Sequence, residues 1–199
     1  MARLLNTLSA VVLLLVVLLS SAGAKSKRLE IGTAAPSWSN LIGVDGKEHS
    51  LPDAKEATAV VVVFTCNTCP VARAYEDRLK ELAEAYKDKG VVLVAINANK
   101  GETIESMVVR AEEKKFPYTY LLDATQEVAK AFGATRTPEV FLLGKDRKIV
   151  YTGAIDDDGT LSGRAETHYL RDAIEATLAG KTPDHPQTEA FGCGIQWKK

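Results

Sequence analysis

The chain has 199 residues, 46% hydrophobic and 26% charged, with 25 basic and 26 acidic side chains for a formal charge of -1. That length fills one core well and two poorly, which makes a single domain the expectation. The two signs of charge are mixed along the chain with no basic block, so nucleic acid is excluded as a partner and the composition is that of a folded globular protein.

The first 24 residues differ in kind from the rest. Arg3 supplies a positive start, Leu8 to Leu19 an apolar stretch and Ala22-Gly23-Ala24 a small-residue cleavage pattern, which together read as a secretory signal peptide over 1–24 cut before Lys25. The expected location is periplasmic or secreted. The alternative is an uncleaved segment, Leu4 to Ala24, that anchors the protein in a membrane with the rest facing outside the cytoplasm; only then is a membrane a partner. Both readings put the cysteines where disulfides persist.

After Gly32 to Pro36, the stretch from Trp38 to Leu51 carries an Asp45-Gly46 turn between two short alternating runs and predicts a hairpin. Ala59 to Phe64 is continuously apolar and rich in valine, as in a strand buried on both faces. A helix is expected next, with Val71, Tyr75, Leu79, Leu82 and Tyr86 on one face and Gly90 as its stop. Val91 to Ile96 is a second buried strand, so strand, helix and strand should form a parallel, right-handed crossover. Ile104, Met107, Val108 and Ala111 mark a helix ended by Phe116-Pro117. Three further strands are expected at Tyr118 to Leu122, Val140 to Leu143 and Ile149 to Thr152, with a short helix from Val128 to Phe132 closed by Gly133. Leu170, Ala173, Ile174, Thr177 and Leu178 predict a last helix, with Thr167 as N-cap and Gly180 just past its end. The alternation predicts an α/β fold covered on both faces of its sheet, with a domain over 25–182 and a tail over 183–199.

Cys66-Asn67-Thr68-Cys69-Pro70 falls between the valine strand and the helix that follows. At that junction the free N–H groups of the helix start should stabilise a thiolate at Cys66, and Cys69, one turn on, can resolve a mixed disulfide. Against this stand a structural disulfide, two inert core thiols, or a metal site. The last has little to build on, because there is no second Cys-x-x-Cys and His49, His168 and His185 are scattered. Pro70 in place of histidine excludes a c-type haem attachment. Asp156-Asp157-Asp158-Gly159 lacks the offsets of a calcium loop and reads as an acidic turn. Neither a cofactor nor a bound metal is expected.

Several segments carry a wider resemblance: Gly32, Ala35-Pro36, Asp45-Gly46-Lys47, Phe64-Thr65-Cys66-Asn67, Cys69-Pro70-Val71, Ala74 to Leu79, Arg136-Thr137-Pro138-Glu139-Val140-Phe141-Leu142, Ile155-Asp156-Asp157 and the closing Gly192-Cys193-Gly194-Ile195-Gln196-Trp197. Together they resemble the redoxin-domain, peroxiredoxin-like branch of the thioredoxin superfamily. The resemblance implies a thioredoxin-like fold, a central mixed sheet with helices on both faces and an N-terminal β-hairpin extension. It also implies that Cys66 and Cys69 are the redox pair and that Pro138 is a cis-proline facing them. The activity implied is exchange of a Cys66/Cys69 dithiol and disulfide with protein thiols or disulfides, re-poised by an upstream redox partner. Glu139 is a candidate proton acceptor for Cys69, since Val60 stands where many thioredoxins bury a carboxylate, and Thr68 stands where relatives often carry histidine. Reduction of peroxides is the second reading. Val63 and Pro138 replace the threonine and arginine that typical peroxiredoxins use, which leaves Arg136 and Arg73 as substitutes. Copper delivery through two thiols and a distant histidine is the third; such proteins usually space their cysteines by three residues, which counts against it, and His168, at the start of the last helix, reads as solvent-exposed. Cys193 is the odd cysteine; Phe191, Ile195 and Trp197 favour a docked tail, in which Cys193 is either packed or a second resolving thiol.

Overall fold

The computed structural model describes residues 29–159 and 162–199, so the expected signal segment lies outside the described residues. In chain order the elements are β1 (Leu41–Gly43), β2 (Glu48–His49), β3 (Ala59–Thr65), α1 (Pro70–Ala74), α2 (Glu76–Tyr86), β4 (Val91–Asn97), α3 (Ile104–Lys114), β5 (Thr119–Leu122), α4 (Glu127–Phe132), β6 (Arg136–Thr137), β7 (Glu139–Leu143), β8 (Ile149–Gly153), α5 (Tyr169–Leu178) and β9 (Cys193–Gly194). None of the described helices is long and apolar enough to cross a membrane.

The valine run becomes the centre of a seven-stranded mixed sheet in the order β2-β1-β5-β4-β3-β7-β8. β3 runs parallel to β4, from Ala59↔Val91 to Thr65↔Asn97, and antiparallel to β7, from Val60↔Leu143 to Phe64↔Glu139. Because successive strand residues face opposite ways, both faces of this run need cover. Val61 and Val63 are buried beneath Leu79 and Leu82 of α2, Met107 and Ala111 of α3, and Leu170, Ala173 and Ile174 of α5. Val60 and Val62 are buried on the other face with Phe132 of α4, Trp38, Leu51 and Ile195. Each buried valine contributes about 1.5–3 kcal/mol of transfer free energy, which is why β-branched residues hold a strand that helices cover twice. The expected hairpin is β1 with β2, paired Leu41↔His49, and β1 joins it to the sheet through β5.

Two elements differ from expectation. The single helix after the cysteines is two, α1 and α2, separated at Tyr75. The phenol there donates to Asp156 Oδ1 at 2.6 Å and to the Asp158 carbonyl at 3.2 Å, a contact between residues far apart in sequence that periodicity does not register. The acidic turn also grips Arg78, whose guanidinium reaches Asp156 Oδ2 at 2.7 Å and Asp158 Oδ2 at 2.6 Å. The N-cap of α5 is His168, not Thr167, and it makes no side-chain cap bond.

The outer edge of β8 is covered by neighbouring chain. Ala34 bridges Lys148 antiparallel and Gln187 bridges Thr152 in parallel. Beyond that bridge the tail crosses the sheet end, where the Thr135 carbonyl accepts from the Ile195 N–H and Asn99 Oδ1 accepts from the Gln196 N–H. The two tryptophans separate clearly. Trp38 is core, 6.2 Å from the Phe132 ring, whereas Trp197 is 37% exposed with the Lys130 ammonium over its face.

Candidate redox site

The site forms where β3 and β4 end and three connections meet. Cys66 follows directly on β3, and Cys69 is the N-cap of α1 with Pro70 in the first turn, where a missing N–H costs nothing. The sulfur of Cys69 accepts from the Ala72 N–H at 3.4 Å, as a capping side chain does. Both cysteines are free thiols, each 2% exposed. Facing them is β6, followed by a cis Thr137–Pro138 peptide. Thr137 touches both sulfurs: its hydroxyl lies 3.4 Å from Cys66 Sγ, and its carbonyl accepts from the Cys69 thiol at 3.2 Å.

The third cysteine arrives from the tail. β9 pairs antiparallel with β6 in the register Thr137↔Cys193 and Arg136↔Gly194, and the half-buried Cys193 packs against Cys66, Cys69 and Ala72. Gly192 lets the strands approach this closely. Its φ is +144°, and a Cβ there would lie 2.2 Å from the Thr137 carbonyl oxygen, so no other residue fits. The exposed Arg136 donates from Nη1 to the Gly192 carbonyl at 3.1 Å.

The expected ionisation order is reversed. Burial pushes the Cys66 thiol up, against the Thr137 hydroxyl and the Cys69 amide that pull it down, and the charge of Glu102 adds to the rise. Burial also pushes Cys69 up, but donation from Cys193 and the Ala72 N–H outweighs it, and Cys69 lies below the ordinary thiol value. The hydrogen bond to Cys69, then burial, raises Cys193 to about 11. Cys193 is the main cause at Cys69, since its thiol donates to that sulfur and the Ala72 N–H adds to it, whereas the partners of Cys66 do not offset its burial.

Glu102 takes the amides of the loop between the cysteines, a role that its place in the sequence does not announce. Its carboxylate accepts from the Asn67 N–H at 2.8 Å, the Thr68 N–H at 3.0 Å and the Thr68 hydroxyl at 2.8 Å, and also from Asn97 Nδ2. It thereby clamps the loop between the cysteines onto the end of β4. Thr68 lies 3.9 Å from Cys66 Sγ through the same hydroxyl. The only local sequence signal was an acid just before a capped helix, which looks like any helix start. Glu102→Ala is expected to free both amides and remove a charge, and so to speed alkylation of Cys66 near neutral pH by roughly 3-fold. Competitive labelling read by mass spectrometry checks this, and an unchanged or slower rate would show that the clamp does not govern Cys66.

Glu139 is fully buried at the start of β7. Its Oε2 accepts from the Thr135 N–H at 2.7 Å and the Arg136 N–H at 3.1 Å, which ties the turn leading to Thr137. Val63 is core, and Arg73 and His168 are exposed. Among the described residues no group of three or more His, Cys, Asp or Glu side chains is placed to hold a metal ion.

Known proteins resemble this chain in sequence and fold. The chain is 29% identical over 127 residues to the thiol-disulfide oxidoreductase ResA of Bacillus cereus, covering 64% of this chain and 71% of that protein. Among solved structures, an uncharacterized conserved protein from Geobacillus kaustophilus is 39% identical with a TM-score of 0.80, over 85% of this chain and 93% of that one. The thioredoxin domain of a thiol-disulfide oxidoreductase from Bacteroides vulgatus is 27% identical with a TM-score of 0.54, over 61% of this chain and 86% of that one. The fold is thus thioredoxin-like, and since the Redoxin family model matches residues 30–168, the cis-proline turn and the cysteine loop included, the chain belongs to the Redoxin family.

Proposed function

We propose that the protein, a thiol-disulfide oxidoreductase, is exported and exchanges a Cys66/Cys69 dithiol and disulfide with the thiols or disulfides of protein substrates. The observation that carries this reading is the convergence of two free thiols on one residue, Thr137, with its hydroxyl at Cys66 and its carbonyl at Cys69. Both sulfurs also pack in one buried cluster, and a disulfide between them would form and break by thiolate attack. The relatives named thiol-disulfide oxidoreductase support it. Cys66, Cys69 and Pro138 form the reacting centre in this reading. Glu139, Thr68 and Arg136 are positioning residues, acting through the turn, the clamp and the tail respectively. The segment 1–24 directs export to the periplasm or beyond and is removed, leaving a domain over 25–182 and a docked tail over 183–199.

Peroxide reduction is the second reading, favoured by the Thr137 hydroxyl at Cys66, which supplies from another strand the group that Val63 cannot. It ranks behind because Arg136 spends its guanidinium on the Gly192 carbonyl. Equilibrating the reduced chain in graded glutathione buffers, quenching with acid and mapping the bridges tests the main reading. An intramolecular Cys66–Cys69 bridge is expected as the main oxidised form, reached in a two-electron transition. Cys66 and Cys69 that stay alkylatable in the most oxidising buffer would show that they are inert core thiols.

A further inference from the structure

Of the three sulfurs at the site, the two that the proposed function uses are almost closed to solvent, and the third is not. Cys66 and Cys69 are each 2% exposed, whereas Cys193 is half-buried and packs over both. Its place is fixed from both sides. The β6–β9 ladder sets Cys193 opposite Thr137, the residue that already touches both partner sulfurs, and Gly192 permits a closeness that a side chain would forbid. Beyond it the tail is pinned by the Gln196 carbonyl, which accepts from Lys100 N–H at 2.9 Å, and by Lys198 N–H, which donates to Gln126 Oε1 at 2.7 Å. Cys69 therefore shares one cluster with both other cysteines.

We propose that Cys193 is a third redox sulfur: it forms a reversible disulfide with Cys69 that alternates with the Cys66–Cys69 disulfide and passes electrons between the buried pair and protein dithiols outside. This rests on the proposed function and names the route by which a partner reaches the pair. In the oxidised protein the Cys193 thiolate attacks Cys69 Sγ. The Cys66–Cys69 bond breaks, the Cys69–Cys193 bond forms, and Cys66 leaves as a thiolate that takes up the proton Cys193 gave to solvent. No electrons enter or leave in that step. A protein dithiol then attacks the accessible Cys193 sulfur and expels Cys69 as a thiolate. The second thiol of the dithiol displaces Cys193, so the partner departs as a disulfide and the protein has gained two electrons and two protons.

The electrostatics suit this order. Cys193 is held protonated by its hydrogen bond to Cys69, by its burial and by the charges on Cys69 and Cys66. When those two sulfurs are joined in a disulfide, neither carries a charge. Cys193 then ionises more readily in the state in which it must attack. When the partner attacks Cys193, the Ala72 N–H at 3.4 Å stabilises the Cys69 sulfur as it leaves.

The test maps disulfides in the full wild-type chain across graded glutathione buffers, with rapid acid quenching and non-reducing digestion, and repeats it for Cys66→Ser. An intramolecular Cys69–Cys193 bridge is expected as a minor species beside Cys66–Cys69 in wild type and as the main oxidised form of Cys66→Ser. Reduction of the Cys66–Cys69 bridge by a protein dithiol such as reduced thioredoxin should slow roughly 10-fold in Cys193→Ser. If Cys66–Cys69 forms but Cys193 stays alkylatable in wild type at every potential, or bridges only to another chain, the relay is overturned while the proposed function stands. If Cys66 and Cys69 never bridge, the proposed function fails and the relay fails with it. The wild-type mapping decides the matter even if a variant does not fold.

Discussion

Cys69→Ser is expected to cut turnover of protein disulfides by about three orders of magnitude, the largest effect of any single substitution at the site. Cys69 touches Thr137, caps α1 and packs against Cys193, so it is the sulfur common to every intramolecular bridge proposed for this site. Serine suits an N-cap and can accept from the Ala72 N–H in place of sulfur, so the fold should survive and the loss should be chemical. Substrates should then accumulate as mixed disulfides on a remaining cysteine, since Cys69 is no longer there to resolve them. Turnover of a scrambled disulfide protein, with mass spectrometry of the trapped adducts, checks both halves. Retention of more than about one-tenth of the wild-type rate would remove Cys69 from the reaction.

The largest loss of stability is expected at Phe141→Ala. The ring is fully buried in β7, with the Phe132 centroid at 5.2 Å and the Phe64 centroid at 5.8 Å, both edge to face. Truncation removes a large apolar surface and leaves a cavity between two strands and α4 that cannot collapse without moving β3, a cost of about 3–5 kcal/mol. For a chain of this size the melting temperature should fall by about 10 °C. A drop of less than about 2 °C in a thermal melt would show that the aromatic cluster repacks.

The sheet was readable because its signals are local. An uninterrupted run of valines, a second apolar run ended by Asn97 and an Asp-Gly turn each state their structure within a few residues, and the observed β3, β4 and hairpin follow them. The helix break at Tyr75 was hidden because apolar spacing continues through it, while the phenol at the break is held by a turn distant in sequence. The β6–β9 ladder is two residues per strand, too short for any period, and is visible only once Gly192 is seen against the Thr137 carbonyl. The cysteine pair was legible as a pair, but its ionisation was not. That depends first on the burial of Cys66 and on Cys193, and to a lesser degree on Glu102, which nothing in the sequence connects to Asn67 and Thr68.

The covered rim of β8 has a consequence for how copies of the protein meet. A sheet whose outer strand shows a row of unpaired amides and carbonyls invites a second molecule to add a strand, the route by which many β-containing proteins clump. Here the Thr152 amide already donates to the Pro186 carbonyl and its carbonyl accepts from the Thr188 N–H, while Thr33 and Arg147 carbonyls accept from Ile149 and Ala35 amides along the same rim. At the opposite rim β2 is two residues long, too short a template to hold a visiting strand. Among the described residues, crowded neighbours of the same kind therefore find no long free rim on the main sheet to copy, and concentrated solutions should resist fibrillar self-association for as long as the 186–188 segment keeps its seat.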